Sequence, residues 1–252
     1  MTVTTPAVTP GLPAERRAPK SPRRPSFSDR EYWVGVRYLA FGRAVPTALF
    51  GFLGWIQLQR VLSVLPETDF EYAFTTVLPR LLYLTFCCLP VVIYLTRPRP
   101  TASDGRLIAR VAAFGGTLTL LLLPVYTPSS APLFTTPTWF ASLSGVMLAG
   151  AWTFAIWSLS YLRRSLSVIP EARRLTTSGP YRLVRHPLYF AEISAAIAVQ
   201  LTNLRLFPVL ALGMFIGLQL TRAHFEERLL RRAFPEYVAY TARTRRIVPF
   251  LL

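Results

Sequence analysis

Two short stretches and one isolated carboxylate hold most of the side chains able to do chemistry. The first stretch begins at Ser165 and ends in Gly179-Pro180-Tyr181-Arg182-Leu183-Val184-Arg185-His186-Pro187-Leu188-Tyr189. It is amphipathic, turns at Gly-Pro, and reaches a His-Pro junction. A helix is expected to begin there, because Pro187 suits a first helical turn, where a missing N–H costs nothing. Such a helix start favours an anion, for example a carboxylate. The second stretch is Arg222-Ala223-His224-Phe225-Glu226-Glu227. Arg222 and Glu226, four apart, share one helix face. Glu192 lies within an apolar run, where a carboxyl group is costly unless it is near an interface, paired, or facing a cavity. Taken singly, each has a bland role. Arg222 and Glu226 make an ordinary surface pair worth about 0.3–0.5 kcal/mol, His186 caps a helix, Tyr181 and Tyr189 join an interfacial aromatic belt, and Arg173 and Arg174 set topology.

The elements that position these residues are read from composition. The chain has 252 residues, a net charge of +16 and 52% hydrophobic residues. Its mean hydropathy is +0.37. So much apolar surface cannot be hidden in one soluble core of this length, whereas apolar runs separated by charged loops describe a membrane protein. Runs fall at about 38–59, 74–95, 108–126 and 139–161, and a hairpin of two helices covers about 188–201 and 206–221. Most are near the 20 residues that cross roughly 30 Å of hydrocarbon; the first arm of the hairpin is short. Pro46, Pro79 and Pro90 imply kinks, which membrane helices tolerate. The fold expected is all-α and polytopic, with about six transmembrane helices and an amphipathic C-terminal cytoplasmic helix containing Leu229, Leu230, Phe234, Tyr237 and Tyr240.

Charge sets the orientation. The arm to residue 37, the 97–110 loop, the 163–185 segment and the tail from Arg222 hold 24 of the 28 basic residues. The alternate loops are acidic, uncharged, or carry only Arg205. Every second loop is therefore basic, as positive-inside topology requires of an even number of spans with both termini cytoplasmic. Basic residues dispersed among loops, without stacking aromatics on a soluble face, do not suit nucleic acid. Residues 1–30, rich in Pro, Arg, Ser and Thr, read as a disordered basic arm. Cys87 and Cys88, adjacent in an apolar run, read as small apolar residues, and with only two His they do not make the usual zinc spacings, so no metal is expected.

The Gly179-to-Tyr189 motif, followed by Glu226-Glu227 and by Phe234, Tyr237, Tyr240, Arg246 and Pro249 in order, resembles the isoprenylcysteine carboxyl methyltransferases. These share a core with the phospholipid N-methyltransferases. The resemblance covers about residues 145–250; family members often have Gly where this chain has Ala191. It implies an integral membrane methyltransferase using S-adenosyl-L-methionine, with the cofactor entering from the cytosol and a lipophilic, membrane-resident acceptor approaching from the bilayer. It also implies cofactor contacts at Arg173, Arg174, Leu175, Thr176, Tyr181, His186, Pro187, Leu188, Tyr189, Glu226 and Glu227. Arg222 would bind the acceptor, with Glu192 nearby, and Arg222, Glu226 and His186 would form the reactive centre.

On this reading the chain divides into the arm, N-terminal spans over 31–138, and a methyltransferase core over 139–252. Methyl transfer is an in-line displacement that needs alignment and desolvation more than acid–base groups. A carboxylate acceptor needs no base, and Arg222 would orient it. An amine acceptor must lose a proton, for which His224, Glu227 and Glu192 are candidates. Carboxyl methylation is the leading expectation, phospholipid-headgroup N-methylation the alternative, and a non-catalytic transport or assembly protein on the same fold the reading of another class.

Overall fold

The computed structural model describes residues 36, 38–65, 69–100, 102–103, 106–122, 137, 139–169, 171–202 and 204–248. The account that follows concerns the unit Tyr38–Leu252. The expectations for the N-terminal arm, for the 127–138 loop apart from residue 137, and for Pro249 lie outside the described residues.

The unit is mostly helical. Its helices are α1 (Val45–Leu62), α2 (Phe70–Thr96), α3 (Leu107–Leu122), α4 (Trp139–Leu162), α5 (Pro187–Leu201), α6 (Leu206–Ala233) and α7 (Tyr237–Arg243). The first six coincide with the six apolar runs. Three stretches, Phe70–Thr96, Trp139–Ser165 and Leu206–Ala233, are long and apolar enough to cross a membrane. Residues 107–117 and Pro187–Leu201 are apolar but shorter, and α1 carries Gln57, Gln59 and Arg60 near its end.

Local chemistry sets the boundaries. The Asp69 side chain accepts the Tyr72 N–H at 3.1 Å, capping α2. Pro187 opens α5 directly after His186. The sixth helix extends twelve residues past the apolar run that predicted it, through the charged stretch 222–233. It stops at Phe234, whose backbone is extended because Pro235 follows.

Of the three prolines expected as kinks, Pro90 stands inside the α-helical part of α2, and the other two follow wide turns. Pro46 and Pro79 each stand at the second position of an α-helical stretch, directly after π-helical turns over Ala40–Ala44 and Ala73–Val77. A regular helix would aim the N–H of residue 46 at the Gly42 carbonyl. Proline has no such N–H, and the Arg97 guanidinium donates to that carbonyl instead. The Thr75 carbonyl, four residues before Pro79, lies against Gly145 of α4, so close that a Cβ on Gly145 would come within 2.5 Å of it. Only glycine permits that approach.

α6 packs along α3, α5 along α4, and α2 between α1 and α4. The main core is aromatic and small by turns: Tyr83 stacks on Trp152 at 4.3 Å between centroids, with Phe86 tilted against the same indole at 4.9 Å, while Ala113, Ala155, Ala191 and Ala195 let helices approach closely. Two ends are distinguishable. At one, Glu71 meets Ser142 at 2.9 Å and Ser144 donates to the Ala198 carbonyl at 2.7 Å. At the other, a short antiparallel pair, β1 (Ala102–Ser103) and β2 (Glu171–Ala172), ties the 97–106 loop to the segment after α4. There too the C-terminal tail returns. Val184 bridges Arg245, and the Arg185 and His186 amides donate to the Arg245 and Arg246 carbonyls at 2.8 and 3.0 Å. The basic loops thus meet at one end of the bundle.

Candidate active site

At that basic end lies a partly open cavity with an interior of about 90 Å³. Its lower wall is apolar: Phe50 and Leu53 of α1, Phe86, Cys87 and Pro90 of α2, and Leu159 of α4. Its roof is the segment Leu166–Ile169. Pro187, Leu188, Tyr189 and Glu192 of α5 and Arg222 and Glu226 of α6 form the side on which polar groups collect.

Those polar groups are chained. The Gln219 amide donates to the Glu192 carboxylate, and the Gln219 carbonyl oxygen accepts from Arg222 Nη1 at 2.8 Å. The Arg222 guanidinium lies 4.9 Å from the Tyr189 ring centroid, a cation–π distance. The Tyr189 hydroxyl donates to Glu226 at 2.8 Å. Arg222 and Glu226 therefore do share a face, as their spacing requires, but they take hold of the two ends of Tyr189: its face and its hydroxyl. Arg222 is buried and its Nε has no hydrogen-bond partner among the described residues.

A second, smaller chamber of about 40 Å³ adjoins the first. The two share Leu162, Ser165, Glu171, Tyr181, Arg185 and Glu226 along their boundary. The second is lined further by Arg173, Arg174, Leu175, Thr176, Tyr237 and Tyr240. Gly179 shapes its approach: its φ of 61° and the Tyr161 ring, 2.6 Å from where a Cβ would stand, both require glycine. Tyr181 follows, buried, its hydroxyl held well above its ordinary pKa by burial, with the Glu226 and Tyr240 charges adding to the shift. The Tyr240 hydroxyl donates to the Tyr181 carbonyl at 2.6 Å and is itself pushed up to about 12 by burial. Arg173 donates to Glu171 at 2.8 Å and to the Pro98 carbonyl at 3.1 Å, and its Nη1 is buried without a hydrogen-bond partner among the described residues.

The structure thus brings together, around two joined chambers, Arg173, Arg174, Leu175, Thr176, Tyr181, His186, Pro187, Leu188, Tyr189, Glu192, Arg222 and Glu226. Glu227 stands apart. It turns away from both chambers and gathers basic side chains: Arg185 at 2.9 Å, His186 Nε2 at 3.2 Å, Arg231 at 3.2 Å and Arg246 at 3.5 Å. Its reach into the site is through His186, whose ring stacks on Tyr189 at 5.2 Å and whose Nδ1 is 3.8 Å from Glu226. His224 is exposed and packs edge-on against Phe225. Of the three base candidates named from sequence, Glu192 is the one on the cavity wall.

Several participants had not been singled out from sequence. Gln219 links Glu192 to Arg222, and its signal was spacing alone, three residues before Arg222 on a polar stripe. Glu171, with a side chain 5% exposed, collects Arg173, Ser167 and Arg97. Tyr94 and Arg97 come from α2 and its C-terminal end, where no motif marks them.

Two comparisons bear on this arrangement. Residues 139–237 match the family model "Phospholipid methyltransferase". A second similarity, 38% identity over 79 residues, is to the cobalt-zinc-cadmium resistance protein CzcN of Cupriavidus metallidurans; it covers 31% of this chain and 36% of that relative. The chain thus spans about a third of the length of the curated relative it matches. The family match takes in α4, α5, α6 and every motif residue from Arg173 to Glu227, and leaves out Phe50, Phe86, Tyr94 and Arg97. Over residues 139–237 the chain is therefore similar to the phospholipid methyltransferase family, a family of membrane methyltransferases.

Proposed function

We propose that this chain is an integral membrane S-adenosyl-L-methionine-dependent methyltransferase whose helices α1–α6 all span the bilayer. Both termini and the basic end are then cytoplasmic, and the reaction is carboxyl O-methylation of a lipophilic acceptor. The observation that carries the reading is the pair of joined chambers at the basic end: one reaches the apolar side chains Phe50, Leu53, Phe86 and Leu159, the other is lined by Arg173, Arg174, Thr176, Tyr237 and Tyr240, and they meet at Tyr181 and Glu226.

The residues of the second chamber suit the cofactor. Arg173 Nη1 and the Tyr237 hydroxyl are buried there without hydrogen-bond partners among the described residues. A guanidinium donor suits a carboxylate, and the part-exposed Glu226 carboxylate can accept from ribose hydroxyls or an ammonium group. Tyr181 and Tyr189 offer ring faces for adenine. When bound, the cofactor supplies an electrophilic methyl group on a sulfonium. The chain's own groups do the positioning. Arg222, with Nε unclaimed and its plane over Tyr189, orients an acceptor carboxylate. Phe50, Leu53, Phe86 and Leu159 hold the acceptor's hydrocarbon and keep water from the reacting oxygen.

Phospholipid-headgroup N-methylation has its own support in the Glu192 carboxylate on the cavity wall, placed to take an amine proton. A base-labile labelled product from labelled methyl donor and a total lipid extract is expected of an ester; a base-stable one would favour the N-methyl reading. Binding is tested first. Purified protein in detergent is expected to bind S-adenosylmethionine or its demethylated product by calorimetry, and Glu226→Ala to abolish that binding. Arg222→Ala is expected to leave it and to impair acceptor turnover. Absence of binding by the intact protein would leave the non-catalytic transport or assembly reading.

A further inference from the structure

The family-matched segment begins at residue 139, yet Arg97, well before it, holds the cavity's roof. Arg97 follows the last residue of α2 and is 1% exposed. Its guanidinium reaches three separate elements. It donates to the Gly42 carbonyl left free before Pro46. It donates to the Leu166 carbonyl at 2.9 Å and the Ser167 hydroxyl at 3.3 Å, both in the roof. It stands 3.6 Å from the Glu171 carboxylate. Beneath it, the Tyr94 ring lies at 4.1 Å, and the Tyr94 hydroxyl accepts the Val168 N–H at 2.6 Å.

The roof is thus fastened at three consecutive residues from the end of α2. The other side of Val168 faces the site: its carbonyl lies 3.4 Å from Arg222 Nη2. A continuous path of contacts runs from Gly42 through Arg97, Tyr94 and Val168 to Arg222. An arginine serving topology alone would keep its charge in water. This one is buried, and burial lowers its pKa despite the Tyr94 and Glu171 partners that oppose the shift. Its planar fork supplies donors in several fixed directions at once, which a lysine ammonium on the same stem cannot reproduce.

We infer that Arg97 is a positioning residue for the methyl-transfer site: it holds Leu166–Val168 where the Val168 carbonyl fixes the Arg222 guanidinium against the acceptor. The inference rests on the methyltransferase reading above, and it gives the N-terminal helices a part in the reaction beyond enclosing the cavity.

The test compares Arg97→Gln and Arg97→Lys with Arg43→Gln. Arg43 donates to the Arg97 carbonyl, on the far side from the roof, so its loss loosens the same corner without releasing Leu166–Val168. The intact protein is first shown to bind S-adenosylmethionine; failure at that step overturns the methyltransferase reading itself, and the inference with it. Given binding, Arg97→Gln is expected to slow transfer of label to a total lipid extract, at saturating donor, by about tenfold or more, as misplacement of a reacting group does. Donor affinity is expected to stay within about threefold, since the donor chamber's own side chains are retained. Amide exchange at Val168 is expected to rise about tenfold. Arg97→Lys should fall between, and Arg43→Gln should lower the melting temperature without the rate defect. Where Arg97→Gln does not survive purification, Tyr94→Phe, which removes only the hydroxyl on the Val168 N–H, carries the same expectation for rate and exchange. Rate and exchange within about twofold of the intact protein, or an equal rate defect in Arg43→Gln, would overturn the inference.

Discussion

Glu226 and Glu227 are neighbours in sequence, and their substitution should separate stability from binding. One residue turns a helix by about 100°, and that turn sends Glu226 to both chambers and Glu227 into a nest of basic side chains. The Glu227 side chain is 6% exposed and its nearest partner, Arg185, is 14% exposed. Arg231, at 51%, adds a screened surface pair worth about 0–1 kcal/mol. The weight therefore falls on Arg185 and His186, both of which lose a buried carboxylate in Glu227→Gln. Removing one partner of a buried pair costs about 3–5 kcal/mol. At roughly 2–4 °C per kcal/mol for a chain of this size, the melting temperature in detergent should fall by roughly 6–20 °C. Glu226→Gln, which removes a part-exposed carboxylate bonded to Tyr189 at 2.8 Å, should move it by less than about 2 °C and abolish or strongly weaken S-adenosylmethionine binding. Thermal unfolding followed by tryptophan fluorescence, with calorimetry on the same preparations, reads both. A Glu227→Gln protein as stable as the parent would refute the description of Glu227 as the hub that holds His186. A Glu226→Gln protein with the larger thermal loss would reverse the assignment.

Three further outcomes are expected. Tyr189→Phe removes the hydroxyl that aims Glu226 and should weaken donor binding about tenfold by calorimetry, since a hydrogen bond to a charged group is worth about 1.5–3 kcal/mol. Gly145→Ala drives a methyl group against the Thr75 carbonyl and should destabilise by about 1–3 kcal/mol, measured as thermal stability against Gly51→Ala, where no atom lies within 4 Å of the new Cβ and no loss is expected. Tyr240 has a hydroxyl pKa raised by burial to about 12 in the fold, against about 10 unfolded. The unfolded chain loses that proton first, so the contribution is complete below about pH 10 and is lost as pH rises through about 12. Tyr240→Phe should flatten that part of the stability profile; an unchanged slope would refute the burial argument.

The six apolar runs were legible because hydrocarbon sets a length and a composition together. The side chains around the two chambers were legible where a motif carried them, from Arg173 to Tyr189 and at Arg222 and Glu226. What escaped were relations between distant segments. Arg97 reads as one more charge of a basic loop, since nothing local says that Gly42, Leu166 and Glu171 will surround it. Arg43, a lone charge inside the first apolar run, hydrogen-bonds the Arg97 main-chain carbonyl. Arg222 and Glu226 had the spacing of a salt bridge, and only the placement of α5 shows Tyr189 between them. The helical character of 222–233 was legible, but its continuity with α6 as one helix to Ala233 was not, because hydropathy falls at Arg222 while helix-forming residues continue up to Pro235.

The wide turns at Ala40–Ala44 and Ala73–Val77 make helix phase a property that two prolines and two short windows hold in common. A π turn is in effect one residue too many for an α-helix. Deleting that residue while keeping the proline would rotate everything N-terminal to it by about 100° and bring the Pro46 ring onto the Gly42 carbonyl. Deleting it together with Pro46→Ala would restore an unbroken helix, but would claim that carbonyl for the ladder and take it from Arg97. A chain related to this one can therefore differ by one residue in either window without disruption only if the proline, and in the first window the arginine, changes with it.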